Sequence, residues 1–238
     1  MSSPNPATTR AVGHGEVAPD ELSLADRAYQ DLRGRILDSR LPPGTALSVP
    51  ALARSLNISR SPVREAVQRL IHDGLATHVP HRGAEVARLA IADLLDIYVV
   101  KEPLTGLAAR LAATRLTQED VETLRAMMTE QDAALVGATP ESLFMSMDLT
   151  FHTFINEVAG NVTLLATMAQ FDNKTNLAFP SAWSDHEYAR LSVREHHAIA
   201  DALIAGDADE ADRVSRVHVR NVRTRLARWH NYAGGCGC

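Results

Sequence analysis

Four side chains in the second half of the chain carry the donor atoms that divalent metal ions bind. Asp148 and His152 are four residues apart, which places them on one face of a helix, and His196 and His218 lie in later segments. Imidazole nitrogen and carboxylate oxygen are ligands of first-row divalent ions such as zinc, nickel or manganese. An Asp and a His at this spacing more often form a surface hydrogen bond, so spacing alone leaves both interpretations open.

A second group of residues is suited to contact DNA. The run Leu56–Leu70 begins as a turn, continues with the capping residues Ser59 and Ser61, and becomes a basic helix. Pro62 suits the first helical position, so we predict that this helix begins near Ser61. Apolar residues recur at three- and four-residue spacing along one face. The polar residues that fall largely off that face are Arg60, Arg64, Gln68 and Arg69.

The segments around this basic helix complete a recognisable arrangement. A short helix over Val49–Leu56 precedes it, separated by the turn 57–59. Two short helices joined by a tight turn form a helix-turn-helix, whose second helix enters the major groove of DNA. Two extended runs follow, Ala76–Val79 and Ala84–Ala87, around a loop that contains proline and glycine. A basic hairpin directly after a recognition helix is a wing.

These motifs resemble the winged-helix N-terminus of GntR-type transcription regulators. The resemblance covers roughly residues 29–88 and implies binding to double-stranded operator DNA as a homodimer. The motifs that carry it, in order, are Leu41–Gly44, Leu52–Leu70, Asp73–Leu75 and His81–Gly83.

Within this segment we expect Arg60 and Arg64 to read base edges in the major groove. There are alternatives to these roles: Arg64 could form an ion pair with a neighbouring acid, and Ser61 could act only as a helix cap. The family often has an arginine just before the first motif helix, which Val49–Ala53 lacks. Arg54, one turn later, either replaces it or is an exposed helix charge. The residues expected to approach the backbone or minor groove are Ser59, Ser61, Arg82 and Gly83.

Charge and cysteine usage limit the class of protein. The net charge is −5, but residues 21–88 hold ten arginines against seven acidic residues, so positive charge lies on the segment expected to meet phosphates. The only cysteines are Cys236 and Cys238, which suits a reducing cytoplasm. A Cys-x-Cys end could bind a metal, although a flexible remnant is the expected interpretation. No apolar run is long enough to span a bilayer, so we expect a cytoplasmic protein with no membrane partner.

Beyond residue 89 the pattern is helical throughout, with short connections. It predicts about six helices in an all-α antiparallel bundle over residues 89–232. Pro103 is expected to kink or interrupt the first of them, and Pro140 to occupy the first helical position of the third. The predicted fold class is therefore mainly α, with an N-terminal winged helix-turn-helix over 21–88. A disordered leader (1–20) and a flexible tail (233–238) are expected to flank the two domains.

The second domain is similar to the effector-binding domain, called FCD, of the FadR subfamily of GntR regulators. In that domain an Asp and three His commonly hold a metal at the base of a cavity, where it helps to bind a small carboxylate effector. Carried over residue by residue, the ligands are Asp148, His152, His196 and His218. The motifs that carry the resemblance are Asp148 with Phe151–Ile155, Gly160–Asn161 with Leu164, Glu195–His196 with Ile199, and Gly206–Asp207 with His218.

The sequence departs from the FCD pattern on the helix after the wing. In many such domains this helix carries an arginine, which pairs with the effector carboxylate, and then a glutamate four residues later. This chain has Lys101 and Thr105 at those two positions. Lysine supplies a point charge where arginine supplies a bidentate fork. Arg110 or Arg194 could take the place of the missing arginine. The alternative is that each is a solvated surface charge.

The function expected from these residues is a transcriptional regulator, and a repressor in particular. Effector and metal in the helical domain would change the dimer geometry and so the operator affinity, which requires different effector affinities in the two states. One alternative is an enzyme that uses the Asp/His set as a hydrolytic metal centre with Glu195 as base. The other is an architectural DNA-binding protein without an effector.

Overall fold

The computed structural model describes residues 22–137, 139–178 and 186–234, which form nine helices and one two-stranded sheet. The predicted fold class, mainly α with an N-terminal winged helix-turn-helix and a C-terminal helical bundle, is confirmed. The predicted leader and the two cysteines lie outside the described residues. The elements are α1 Leu24–Leu37, α2 Val49–Leu56, α3 Arg60–His72, β1 Ala76–Val79, β2 Gly83–Val86, α4 Ile91–Ala113, α5 Gln118–Val136, α6 Glu141–Val158, α7 Val162–Ala178, α8 His186–Ile204 and α9 Ala208–Gly234.

The N-terminal domain packs α1, α2, α3 and the hairpin around one apolar core. Helix α1 begins with a capping box, in which the Ser23 hydroxyl accepts from the Asp26 N–H and the Asp26 carboxylate accepts from the Ser23 N–H. It ends at Leu37, because Ser39 adopts a left-handed conformation with φ of 58°. The largest fully buried side chains of this core are Leu32, Val63, Leu70 and Leu75.

The wing is the antiparallel pair β1 and β2, in which Ala76 lies opposite Val86. The turn between the strands uses two residues with positive φ, His81 at 62° and Gly83 at 90°. The segment after α1 also joins this sheet, since the Leu47 N–H donates to the Ala84 carbonyl at 2.8 Å. Only the two extended runs of the wing were predicted, so this third pairing was not expected.

The C-terminal bundle is organised around the antiparallel pair α4 and α9. Arg110 pairs with Asp209 near one end of this contact, and Glu102 accepts from Arg220 farther along. Gly106 faces α9 so closely that an added Cβ would lie 2.1 Å from the Asp212 Oδ1 atom. Within the described residues, no helix has both the length and the apolar composition needed to cross a membrane.

Two predictions that placed a proline at the first helical position were wrong in detail. Helix α3 begins at Arg60 with Ser59 as N-cap, so Pro62 is its third residue. A proline is tolerated there because the first-turn N–H groups have no partner within the helix. Pro140 is likewise the N-cap of α6 and not its first residue. Helix α4 continues through Pro103, whose ring is exposed, so the predicted interruption is absent.

Two side-chain caps define helix starts in the bundle. The Thr117 hydroxyl and the Asp120 carboxylate form a reciprocal capping box at the start of α5. The Asn161 side chain accepts from the Leu164 N–H at 3.0 Å at the start of α7. In both caps the partners are only three residues apart, so local side-chain chemistry can define these helix starts without tertiary contacts.

Candidate metal centre and nucleic-acid interface

The four predicted metal ligands converge inside the bundle. Asp148 and His152 come from α6, His196 from α8 and His218 from α9, and one ligand atom of each lies within 4.8 Å of all the others. The Nε2 atoms of His152 and His218 are 3.2 Å apart, and His196 Nε2 is 3.3 Å from Asp148 Oδ1. Two ligands bound at about 2.0–2.1 Å to a tetrahedral ion are separated by roughly 3.3 Å. These two separations therefore suit a shared metal ion.

Two outer side chains orient the histidine rings. His196 Nδ1 donates to the Gln131 amide oxygen at 2.8 Å, and His218 Nδ1 donates to the Glu195 carboxylate at 2.7 Å. With the proton on Nδ1, each Nε2 keeps its lone pair and directs it to the centre of the cluster. Glu195 is itself held by Arg225 and Asn221 at 2.8 and 2.9 Å. The cluster thus has the supporting hydrogen bonds that ligating histidines require.

The electrostatics of the cluster also suit a cation. Burial lowers the pKa of His196 and His152 below the ordinary value, so both rings are neutral and able to donate a lone pair. Burial alone would raise the pKa of Asp148, but the three surrounding histidines hold that pKa below its ordinary value. His196 Nε2 is buried without a hydrogen-bond partner among the described residues. An orphaned buried nitrogen beside an ionised carboxylate fits a divalent cation.

Glu195 remains ionised beside this cluster. Burial alone would raise its pKa, but hydrogen bonds from His218 and Arg225 outweigh burial and lower the pKa to about 2. A carboxylate that already accepts from three side chains is a poor proton acceptor at neutral pH. Its contacts therefore support orientation of His218, and not the role of a hydrolytic base.

A cavity of about 50 Å³ opens beside the cluster and is bordered by Asp148, His152 and His218. At roughly 10–15 Å³ for each water-sized occupant, this volume holds a few small groups. Lys101 also lines the cavity, with its Nζ 2.5 Å from Asp172 Oδ1. Other polar residues of the lining are Tyr98, Thr105, Thr175, Asn176 and Tyr188.

The structure brings Lys101 to the cavity but not the two other residues expected at the effector site. Arg110 is nine residues beyond Lys101, which turns it to the opposite side of α4, where it pairs with Asp209 and Asp212. Arg194 is exposed and lies about 200° around α8 from His196. Neither arginine lines the cavity in the described part of the chain. His197 is also outside the cluster, with its Nε2 2.9 Å from Asp132.

Sequence reasoning missed three residues that support this site: Gln131, Asp172 and Arg225. A signal existed for two of them, because each is a polar residue at an apolar helical spacing. Gln131 continues a buried stripe with Leu124 and Met128, and Asp172 follows the buried Met168 by four residues. A polar side chain on such a stripe must find a partner in the interior. Arg225 carried no comparable signal.

The predicted DNA-contacting residues are all exposed on the winged domain. Arg60 and Arg64 are four residues apart on α3, and the apolar face of that helix is buried behind them. Neither makes an ion pair within the described residues, unlike Arg69, whose Nη1 is 2.6 Å from Asp26 Oδ1. The Ser59 hydroxyl makes no capping hydrogen bond. The remaining predicted residues, all exposed, are Arg54, Ser61, Arg82 and Gly83.

Comparison with known proteins decides the family. Residues 24–86 match the family described as bacterial regulatory proteins, gntR family, and residues 96–221 match the FCD domain. The chain belongs to the GntR family. Its two matched segments correspond to the winged domain and the metal-centre bundle described above.

Individual relatives agree with this assignment. The Nta operon transcriptional regulator of Aminobacter aminovorans is 29% identical over 178 residues, which cover 75% of this chain and 82% of that protein. The "Probable D-xylose utilization operon transcriptional repressor" of Paenarthrobacter nicotinovorans is 30% identical over 184 residues, covering 77% and 80%. The solved structure of E. coli McbR/YncC has a TM-score of 0.75 at 21% identity over 88% of this chain and 99% of its own. That structural likeness shows the fold alone.

The GntR protein is therefore a DNA-binding transcriptional regulator. Both matched families and the relatives above are regulators and not enzymes, which confirms the prediction that the chain is not an enzyme. The FCD domain contains an Asp/His cluster of the kind that holds a metal ion.

Proposed function

We propose that this GntR regulator is a homodimeric repressor of the FadR subfamily. Its operator affinity is controlled by a small carboxylate effector bound beside a divalent metal. The observation that carries the proposal is the convergence of three histidine nitrogens and one carboxylate oxygen on a cavity that also contains a lysine. A buried cluster of this composition, open to a small cavity, is suited to hold a cation and an anion together.

The metal would be held by Asp148, His152, His196 and His218. Three imidazoles and one carboxylate suit zinc, nickel or manganese. A bound divalent ion would carry positive charge, and the effector carboxylate could coordinate that ion. Gln131 and Glu195 keep two of the ligand rings in the required orientation.

The effector would lie between the metal and Lys101. The lysine ammonium supplies a second positive group, and the buried Thr105 hydroxyl, which has no hydrogen-bond partner among the described residues, supplies a polar contact. The small cavity favours a short acid over a long-chain ligand. Arg110 and Arg194 are too far around their helices to take part without rearrangement.

The DNA contacts would come from α3 and the wing. Arg60 and Arg64 would read base edges, and Ser59, Ser61 and Arg82 would contact phosphates. Gly83 would let the wing backbone approach the minor groove, and Arg54 would add a further phosphate contact. A dimer would place two recognition helices in half-sites about one helical turn apart. The repressor assignment is supported by the relative from Paenarthrobacter nicotinovorans that bears that description.

Metal analysis combined with a gel shift tests the proposal. The purified full-length chain is dialysed, its metal content is measured by mass spectrometry, and its binding to the DNA upstream of its own gene is measured with and without a chelator. We expect close to one metal ion per chain, specific retardation of this DNA, and a change in affinity when the chelator removes the metal. A protein that binds this DNA without any metal would instead be the architectural alternative.

A further inference from the structure

The last part of α7 faces two different regions of the molecule at once. Asp172, Thr175 and Asn176, at spacings of three and four, line the cavity beside the metal ligands. The residues between them turn the other way, toward the winged domain. Residues 172–177 are therefore a single helical segment with the candidate effector site on one face and the DNA-binding domain on the other.

Three contacts join this segment to the winged domain. The Arg33 guanidinium donates to the Asn173 side-chain oxygen at 3.1 Å. The Lys174 side chain covers Gly74, where an added Cβ would lie 2.6 Å from Lys174 Cε. Leu177, only 8% exposed, belongs to the apolar core that the winged domain builds. These contacts include hydrogen bonding, close packing and apolar burial, so a shift of α7 must be felt by α1 and α3.

On the cavity side, the segment is held by one ion pair. Lys101 Nζ lies 2.5 Å from Asp172 Oδ1, and the two side chains are only 12% and 13% exposed. Charges removed from water in this way depend on each other, because an unpaired partner would be left in a poorly solvated position. Lys101 is also the cation that an anionic effector would use. The effector carboxylate and Asp172 would therefore compete for the same ammonium group.

We propose that Asp172 is a positioning residue whose ion pair with Lys101 latches α7 against the winged domain. An effector that takes Lys101 releases that latch. The inference rests on the proposed function, because it takes the cavity as the effector site. Once Lys101 turns to the effector, two carboxylates face each other in the cavity, and repulsion displaces Asp172 together with Asn173 and Leu177. By linkage, firm packing of α7 on the winged domain weakens effector binding to the same extent.

Hydrogen exchange on the zinc-loaded full-length chain tests the latch, with sodium acetate as the probe and sodium chloride at equal ionic strength as the reference. In the wild type, acetate should speed amide exchange in residues 29–37, 70–78 and 172–178. Asp172→Asn should show faster exchange in these segments without acetate. It should also bind acetate roughly tenfold more tightly, since a competing buried charge has been removed. Asp209→Asn, which removes an exposed partner of Arg110, is the matched control and should change none of these values.

A second variant keeps the test decisive if Asp172→Asn fails to fold. Asn173→Ala removes only the winged-side hydrogen bond with Arg33. It should speed exchange in residues 29–37 without acetate and, by the linkage above, bind acetate more tightly than the wild type. If either folded variant exchanges amides in residues 29–37 and 70–78 at the same rate as the wild type, the latch is overturned. Coupling through the linker 87–90 would predict that result. If the variants give this outcome while the wild-type protein holds zinc and retards its upstream DNA, the latch alone is refuted. Absence of zinc or of DNA binding refutes the proposed function.

Discussion

The two functional regions of this GntR regulator use charged and polar residues in opposite ways. In the bundle, each ligand is buried or half-buried, and the rings of His196 and His218 are held by Gln131 and Glu195. On α3, Arg60 and Arg64 are exposed and have no ion-pair partner within the described residues. In the candidate metal site, the protein's own hydrogen bonds fix the orientation of the side chains. On the proposed DNA surface, the arginines have no partner within the described residues, and DNA phosphates would neutralise their charge.

Helix α3 contains the same contrast over a few residues. Arg69 is tied to Asp26 and lies over the Tyr29 ring at 4.3 Å, so its charge stabilises the domain. Arg64, on the outer face, has no such contact in the described part of the chain. The inner arginine of this helix is thus held by packing and an ion pair, whereas the outer arginine, which we propose as a base reader, is exposed.

The largest effect is expected from removing a buried ligand. His196→Ala should lower metal affinity by at least about 100-fold, because losing a ligand exceeds the roughly 10–100-fold effect of losing an outer partner. Metal content after dialysis and a zinc titration measure this effect. His197→Ala, an adjacent histidine paired with Asp132 outside the cluster, is the control and should retain metal. Full occupancy in His196→Ala would count against the metal centre.

The next effect concerns the unpaired surface. Arg64→Ala should weaken binding to the specific upstream DNA by about 1–3 kcal/mol, the value of a base-edge contact, with little change in nonspecific binding. Fluorescence anisotropy at matched salt measures both affinities. Arg125→Ala removes an exposed arginine from α5 in the bundle and should leave both unchanged. Unchanged specific affinity for Arg64→Ala would reject its role as a base reader.

An effect of similar size should come from the outer support of the metal centre. Gln131→Ala removes the hydrogen-bond acceptor of His196 Nδ1 and should weaken metal binding by roughly 10–100-fold. Titration of the chelator-treated protein with zinc measures the change, and Gln118→Ala, an exposed glutamine of the same helix, provides the control. Equal zinc affinity for Gln131→Ala and wild type would mean that the ring is oriented by packing alone.

The smallest effect is expected at the wing. Arg82→Ala removes one proposed phosphate contact and should weaken specific and nonspecific DNA binding alike, while lowering the slope of log affinity against log salt by about one. Affinities measured at several salt concentrations give this slope. Loss of sequence preference in Arg82→Ala would instead indicate that the wing reads bases.

The sequence alone was sufficient for much of the fold and for the ligands. Periodicity placed the helix-turn-helix, the wing and six bundle helices, because amphipathic spacing and caps such as Thr117 act locally. The predictions that Pro62 and Pro140 occupy the first helical position failed because the start of a helix also accepts proline at the N-cap and at the third position. The four ligands were named through resemblance to FCD domains, since spacing gives only the Asp148–His152 pair.

Tertiary structure decided which charges meet. Only the packing of α4, α6, α8 and α9 shows that Lys101 reaches the cavity while Arg110 turns away, and only the approach of α7 pairs Lys101 with Asp172. The physical reason is range: helix propensity, capping and amphipathic spacing depend on neighbours within about four residues. The partners of a buried charge come from segments far apart in the chain, as with Lys101 and Asp172, and are set by how helices pack.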